Sequence, residues 1–299
     1  MTAVSTRRSP DEHTFTYDVC VVGSANLDLV ATVQQLPAPG ETVAGETYSE
    51  YPGGKGLNQA VAAARAGASV AFVGALGDDA AGRALRAVLS DDAINADYLA
   101  TTTEPTGRAL IGVAANGENS IIVVPGANAT VSGTPMPNAR VVLAQLEVPL
   151  AAVELAFTNA RAVGSITILN PAPTQPIDES LLRWCDIVVP NEHEIELLGG
   201  VERLLALGAR AVVVTLGSKG ADLHSPAGVT HIDAFTITPV DTTAAGDSFC
   251  GALCARLAAG DELQIALRFA AAAGALCATR AGAVPSIPIR AEIEKLLAR

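Results

Sequence analysis

Asp241-Thr242-Thr243-Ala244-Ala245-Gly246-Asp247-Ser248-Phe249 sets small residues and a glycine directly ahead of an amphipathic pattern, Phe249, Leu253 and Leu257. A helix starting there leaves N–H groups without intrahelical partners. Those of Ala245 and Gly246 would aim out of its N-terminus and form an anion hole. Asp247, in the first turn beside the hole, is placed to take a proton from a hydroxyl attacking a phosphoryl group held there. The other reading makes Asp247 an acid that merely complements the helix dipole. This segment alone leaves both readings open.

Gly53-Gly54-Lys55-Gly56-Leu57-Asn58 is a second glycine-rich turn, ahead of a helix expected over Gln59–Ala66. It does not follow the P-loop pattern, because no glycine stands five positions before Gly54-Lys55 and no Ser or Thr follows the lysine to hold Mg²⁺. Adjacent glycines let a sugar lie against the main chain while Lys55 and Asn58 bond its hydroxyls. A tight strand-to-helix turn would explain the glycines equally. Asn26 and Asp28 follow the first strand, and Glu147 follows the run Val141–Leu146, each at a strand end where open α/β sheets bind ligands. Turn chemistry and a solvated loop acid are their ordinary alternatives.

Pro190-Asn191-Glu192-His193-Glu194 opens a helix with Asn191 and Glu194 on one face. That spacing suits Mg²⁺ held directly or through water, and it suits an N-terminal capping box; both can hold at once. The turn Thr215-Leu216-Gly217-Ser218-Lys219-Gly220 offers donors and glycines to a nucleotide. The four histidines and five cysteines show no zinc spacing, and no Gly-x-Ser-x-Gly elbow occurs.

These segments need a frame that brings strand ends together. Apolar strand-like runs recur at Asp18–Gly23, Ser69–Val73, Val141–Leu146, Ile166–Asn170, Asp186–Val189 and Ala211–Thr215, mostly separated by Ala- and Leu-rich helical stretches. The alternation predicts an α/β fold, a Rossmann-like, mostly parallel sheet flanked by helices. Two stretches read instead as β hairpins: Leu27–Tyr51, and Thr106–Val124 with a turn at Asn116-Gly117. They predict a small separate β lid, with lid segments spanning about 27–51 and 97–128. Helices are expected over 245–259, 262–279 and 290–298, and residues 1–16 read as a disordered tail ahead of one domain over 17–299.

The chain has 299 residues, 49% of them hydrophobic and 17% charged, which is a globular composition. A net charge of −12 with no basic run excludes nucleic acid as a partner. Scattered cysteines in apolar runs predict buried thiols in a reducing cytoplasm. The tail lacks the apolar core of a signal peptide, and Ala60–Gly77, broken by Arg65, Gly67 and Gly74, reads as a helix and a strand, so no membrane span is expected.

Together, Gly53-Gly54-Lys55-Gly56-x-Asn58 and Asp241-Thr-x-Ala-Ala-Gly-Asp247, with Asn-x-x-Glu between them, resemble the two signatures of the ribokinase family of carbohydrate kinases. The likeness runs from about Val19 to Ala298 and takes in Pro39-Gly40-Glu41-Thr42-Val43, Gly126-Ala127-Asn128, Leu169-Asn170-Pro171-Ala172-Pro173 and Pro285-Ser286. It implies transfer of the ATP γ-phosphoryl group to the 5-hydroxyl of D-ribose. By the same resemblance Asn26, Asp28, Gly54, Lys55, Asn58 and Glu147 hold the sugar, Asp247 is the base, and Ala245 and Gly246 make the anion hole. Asn191, Thr215, Gly217, Ser218, Gly220, Gly246 and Ala271 would meet the nucleotide, and Asn191 and Glu194 would order Mg²⁺ through water. A K⁺ ion would sit on the Asp241 carboxylate, the carbonyls of Thr243, Cys277, Arg280 and Gly282, and Ser286. Leu57, Ala271 and a short Gly199–Ala209 segment depart from the family's usual pattern and bear on the sugar pocket and the adenine rim.

A 2-deoxyribose or other pentose kinase would share every catalytic residue. A nucleoside kinase would want an aromatic platform in the lid, and Thr106–Asn128 has none. A silent sugar- or nucleotide-binding regulator is the reading of another class, against which the intact Asp247, Gly246, Asn191 and Lys55 stand. Apolar alternation in the lid (Leu29, Ala31, Val33; Ile111, Val113; Ile121, Val123) predicts a face covered by a second copy, hence a lid-to-lid homodimer.

Overall fold

The computed structural model describes residues 14–298. Its first strand, β1 (Tyr17–Val22), sends Val19 and Val21 into one hydrophobic cluster and Cys20 and Val22 into another. Both faces of the strand are therefore covered, as a central parallel strand requires. The chain then leaves this sheet for an antiparallel pair, β2 (Asn26–Val33) and β3 (Gly45–Gly53), and returns through α1 (Lys55–Arg65) to β4 (Val70–Gly77), parallel to β1. After α2 (Ala80–Asp91), β5 (Leu99–Thr102) extends the sheet beside β4. A second excursion forms β6 (Gly107–Ala114) and β7 (Asn119–Val124), antiparallel across a turn with Gly117 at φ +87°. Because β6 lies parallel to β2, the two hairpins join into one four-stranded sheet, β3-β2-β6-β7.

The chain re-enters the main sheet on the other side of β1 with β8 (Ala139–Ala144). From there α3 (Leu150–Ala162), β9 (Ile166–Leu169), α4 (Glu179–Leu182), β10 (Ile187–Val188), α5 (Glu192–Leu197), α6 (Val201–Ala206) and β11 (Ala211–Thr215) carry it outward. An antiparallel hairpin, β12 (Ala221–Ser225) and β13 (Gly228–Ile232), ends the sheet. The full order is β13-β12-β11-β10-β9-β8-β1-β4-β5. Three helices close the chain: α7 (Ala245–Ala258), α8 (Leu263–Cys277) and α9 (Arg290–Leu297).

The strand order reverses between β1 and β8, and the crevice beyond their carboxyl ends is where such sheets bind ligands. Helix α7 is brought there by close packing on α1. A Cβ at Gly251 would stand 2.4 Å from the Gln59 carbonyl oxygen, so only glycine permits this approach. Asp247 lies one turn before Gly251 on the same face and is thereby carried onto the first turn of α1.

Several expectations need correction. The lid does not begin at 97: β5 belongs to the main sheet, and Thr106 is tied to the main domain by its N–H and hydroxyl, both donating to the Asp79 carboxylate. Helix α1 starts at Lys55, four residues earlier than expected, so Lys55 and Asn58 occupy its first turn. The tail expected over 1–16 lies outside the described residues up to 13. Phe15 and Thr16 are engaged, the first under the Arg140 guanidinium at 5.6 Å, the second through a 2.9 Å N–H bond to the Asn138 carbonyl. All five cysteines are buried and unpaired. Among the described residues no helix is long and apolar enough to cross a membrane.

Candidate active site

Two glycine-lined turns meet at the β1/β8 crevice. At the first, Gly54 adopts φ +90° as the cap of α1, and a Cβ there would reach within 2.8 Å of the Asn26 backbone nitrogen. A Cβ at Gly53 would fall 2.1 Å from the Asp28 carboxylate, and one at Gly56 would fall 2.5 Å from the Ser24 nitrogen. The glycines are thus what lets the β1–β2 connection and the start of α1 share one wall. Asn26 is buried on that wall, and its side-chain oxygen accepts a 2.7 Å bond from Asn128. Asn128 also accepts from the Ala25 N–H at 3.0 Å, which pins the start of β2 to the turn after β7. Glu147 is no free loop acid: one carboxylate oxygen accepts from the Lys55 N–H at 3.0 Å and from the Ser24 hydroxyl in a short bond.

At the second turn, the N-cap of α7 is Ala244 in the left-handed region, φ +59°. A non-glycine residue held there stores strain of the kind found at functional sites. The turn departs from expectation in one respect. The Ala245 N–H bonds the Thr242 carbonyl at 3.2 Å, while the N–H groups of Ala244, Gly246 and Asp247 have no partner among the described residues. An anion hole at this turn would therefore draw on Gly246, as expected, and on Asp247 in place of Ala245. Around Gly246 the space is open, and a Cβ would meet nothing within 4 Å.

Asp247 is buried, its oxygens accepting from Asn58 Nδ2 at 3.0 Å and Gln59 Nε2 at 2.9 Å. Lys55 is held above the ordinary lysine value by the Asp247 carboxylate first, with Glu147 and Glu194 adding against burial. One cation therefore faces three acids at the junction of the two turns. Burial, and then the charges of Glu147 and Asp247, push the Asp28 carboxyl up to about 7. These shifts show Asp28, Glu147, Asp247 and Lys55 sharing one electrostatic neighbourhood.

The remaining predicted positions surround this centre. Asn191 and Glu194 form the capping box of α5: Asn191 Oδ1 accepts from the N–H groups of His193 and Glu194, and Glu194 accepts from the Asn191 N–H at 2.9 Å. That engages the Asn191 oxygen and one oxygen of Glu194, leaving the other for a water-bound cation. Thr215 bridges to Asn191, and the exposed Gly217 and Ser218 turn on to Gly220 at φ +102°. Ala271 lies one turn before Gly274, where a Cβ would stand 3.0 Å from the Ala245 carbonyl oxygen, so α8 flanks the mouth of α7.

The loops 241–246 and 277–286 are knitted by Asp241, whose oxygens accept from the Thr243 and Gly282 N–H groups, each at 2.9 Å. Burial pushes the Asp241 carboxyl up, but hydrogen bonds from the backbone and side chain of Thr243 and from the Gly282 N–H outweigh it and hold the group below the usual range. The Cys277 thiol lies 2.9 Å from the Ser286 hydroxyl and 3.5 Å from the Thr243 carbonyl oxygen. The Cys277 carbonyl already accepts the Arg280 N–H, and the Arg280 side chain pairs with Glu292. The oxygens of Asp241, Thr243 and Ser286 make a hard donor set that fits a monovalent cation. Among the described residues no group of three or more His, Cys, Asp or Glu is placed to hold a metal ion.

Sequence reasoning missed Ser24, Asn128, Gln59, Gln145 and Asn170. The last three form an amide chain behind Asp247, Gln59 and Gln145 buried and Asn170 half-buried: Gln145 donates to Gln59 at 2.5 Å, and Gln59 donates to Asn170 at 3.0 Å. Gln59 immediately follows the glycine-rich turn, which was the one available signal.

The model of the pfkB family carbohydrate kinases matches residues 16–290. The chain belongs to that family. This pfkB-family kinase is a phosphotransferase with an alcohol acceptor. It is similar to the ribokinase of Haemophilus influenzae, with 39% identity over 297 residues that cover 93% of this chain and 97% of the relative. The solved ribokinase of Thermotoga maritima aligns with a TM-score of 0.89 at 35% identity, covering 95% of this kinase and 100% of that chain. The Arabidopsis thaliana ribokinase complexed with ribose and ATP aligns with a TM-score of 0.88 at 34% identity, covering 95% and 99%.

Proposed function

We propose that this carbohydrate kinase transfers the γ-phosphoryl group of ATP to the 5-hydroxyl of D-ribose, with Asp247 as the base. The observation that carries the reading is the position of Asp247: it is bonded to the sugar-side turn through Asn58 while its own helix presents the free N–H groups of Gly246 and Asp247. A carboxylate and an anion hole on one helical turn suit removal of a proton from a sugar alcohol as the phosphoryl group arrives. The similarity to ribokinases, one of them complexed with ribose and ATP, supports ribose as the acceptor.

In this reading Asn26, Asp28, Gly54, Lys55, Asn58 and Glu147 hold the sugar, and Lys55 adds positive potential where the phosphate passes. Asn191, the turn Thr215–Gly220 and Ala271 receive the nucleotide. Glu194, through its uncommitted oxygen and water, and Asn191 behind it would hold Mg²⁺, whose chemistry is to neutralise charge on the β- and γ-phosphates. Asp241, Thr243, Cys277, Arg280, Gly282 and Ser286 would hold K⁺, which keeps the two loops rigid so that the α7 amides stay aimed. The kinase would work as a lid-to-lid dimer in a reducing cytoplasm, as its five unpaired thiols suit.

A coupled ADP-release assay over ribose, 2-deoxyribose, other pentoses and nucleosides, with and without K⁺, tests the reading. Ribose as the preferred acceptor supports it; a nucleoside preferred over every pentose, or no turnover with any of them, would overturn it.

A further inference from the structure

Gln59 is fully buried on the first turns of α1, and its amide makes three hydrogen bonds. We propose that Gln59 is a positioning residue for Asp247, its amide locked in the donating sense by Asn170 on one side and Gln145 on the other. The inference rests on Asp247 being the base.

The lock begins at a backbone carbonyl. Val189, just after β10, offers its oxygen, which can only accept, and Asn170 Nδ2 donates to it at 3.0 Å. Asn170 must therefore present Oδ1 to its other neighbour, and there Gln59 Nε2 donates to it at 3.0 Å. The second hydrogen of the same NH₂ group meets Asp247 at 2.9 Å. Gln59 Oε1, on the far side, accepts from Gln145 Nε2 at 2.5 Å. A half-turn of the Gln59 amide would set its oxygen against both a carboxylate oxygen and the Asn170 oxygen, and its NH₂ against the Gln145 NH₂. In a buried site every one of those encounters is unfavourable.

Gln145 supplies a second, independent sign. Its own oxygen is buried without a donor among the described residues, lodged where a Cβ on Gly23 would come within 2.2 Å of it. A residue present only to fill space gains nothing from a polar atom left unpaired. Its amide is accounted for by the N–H it gives to Gln59. With Gln59 on one carboxylate oxygen and Asn58 on the other, two consecutive residues of α1 set the plane of the Asp247 carboxylate. An amide NH₂ cannot accept the sugar proton, so Gln59 orients the base without competing with it.

The test is a double-mutant cycle of Gln59→Met and Gln145→Met in the full chain, with Asp247→Asn beside it, assayed with ribose and ATP alongside thermal unfolding. Gln59→Met is expected to lower kcat about 30-fold while KM for ribose stays within about threefold. Gln145→Met is expected to lower kcat about fivefold, and the double variant to be no worse than Gln59→Met, since Gln145 acts only through Gln59. Should Gln59→Met fail to fold, Gln59→Leu, of similar size and without a donor, is the second variant, and the same loss of kcat at constant KM is expected of it. A Gln59→Met or Gln59→Leu enzyme within about threefold of wild-type kcat would overturn the inference. So would a Gln145→Met effect that multiplies in full on Gln59→Met. Turnover surviving in Asp247→Asn removes the base and the inference together; collapse in Asp247→Asn with Gln59→Met unimpaired removes the inference alone.

Discussion

Asn58 and Asp247 are 189 positions apart in the chain, and the amide of one donates to the carboxylate of the other at 3.0 Å. That bond joins the two glycine-rich turns into one site, and it exists because Gly251 lets α7 lie against α1. If the carboxylate is the base, Asp247→Asn should retain ribose binding by calorimetry and lose turnover by roughly 10³-fold or more. Turnover within about tenfold of wild type would remove Asp247 from that role.

Asp28 titrates near neutrality, its carboxyl pushed up to about 7 against an ordinary 3.8. Between those values the folded chain keeps a proton that the unfolded chain releases, so this residue makes stability fall as pH rises through the window. Asp28→Asn should therefore raise Tm above pH 7, by about 2–4 °C, and change it little near pH 4. Equal shifts at both pH values in a thermal melt would contradict the cause given.

Ala244 holds φ +59° at the mouth of α7. Left-handed backbone costs an alanine about 1–2 kcal/mol, and glycine gives back about 0.5–1 kcal/mol through its freer unfolded chain. Ala244→Gly should raise Tm by about 1–3 °C. Ala244→Val should lower it, and a stabilised valine variant would refute the strain.

Asp241 ties Thr243 to Gly282 across two loops. Asp241→Ala, with the fold intact by circular dichroism, should lose all K⁺ stimulation and lower kcat about tenfold or more. An unchanged response to KCl would discard the proposed cation site.

In the lid, β7 is exposed along its whole length, with Ile121 at 53% and Ile122 at 61%. Ile121→Lys, on the face that carries Ile111 and Val123, should convert a dimer seen by light scattering at micromolar concentration into a monomer. A monomeric wild-type mass would end the lid-to-lid proposal.

The main sheet and the lid were legible because their residues carry their own periodicity. The doubly covered strands read as unbroken apolar runs, and Asn116-Gly117 marked the β6–β7 turn. What escaped was short or polar. β5 is four residues with two of them exposed, and β12–β13, with Asp222, His224, Thr230 and His231, reads as a solvated connection. In the site, residues next to glycines were visible, whereas Gln145 and Gln59, 86 positions apart, look like ordinary polar residues until the fold places them in contact. The Ala245 N–H was expected to be free and is not, because the Thr242–Ala245 turn bond goes with Ala244 turning left-handed, which no local pattern of small residues reveals.

The crowding at Gly53, Gly54 and Gly56 also limits how this enzyme can change its diet. Side chains added where the sugar is proposed to lie would strike the Asp28 carboxylate or the backbone of Ala25, Asn26 and Ser24, so the floor of the proposed pocket tolerates almost no mutation. New acceptor preferences, whether drifted into by evolution or sought by engineering, have to be written in the overhanging strands and the rim.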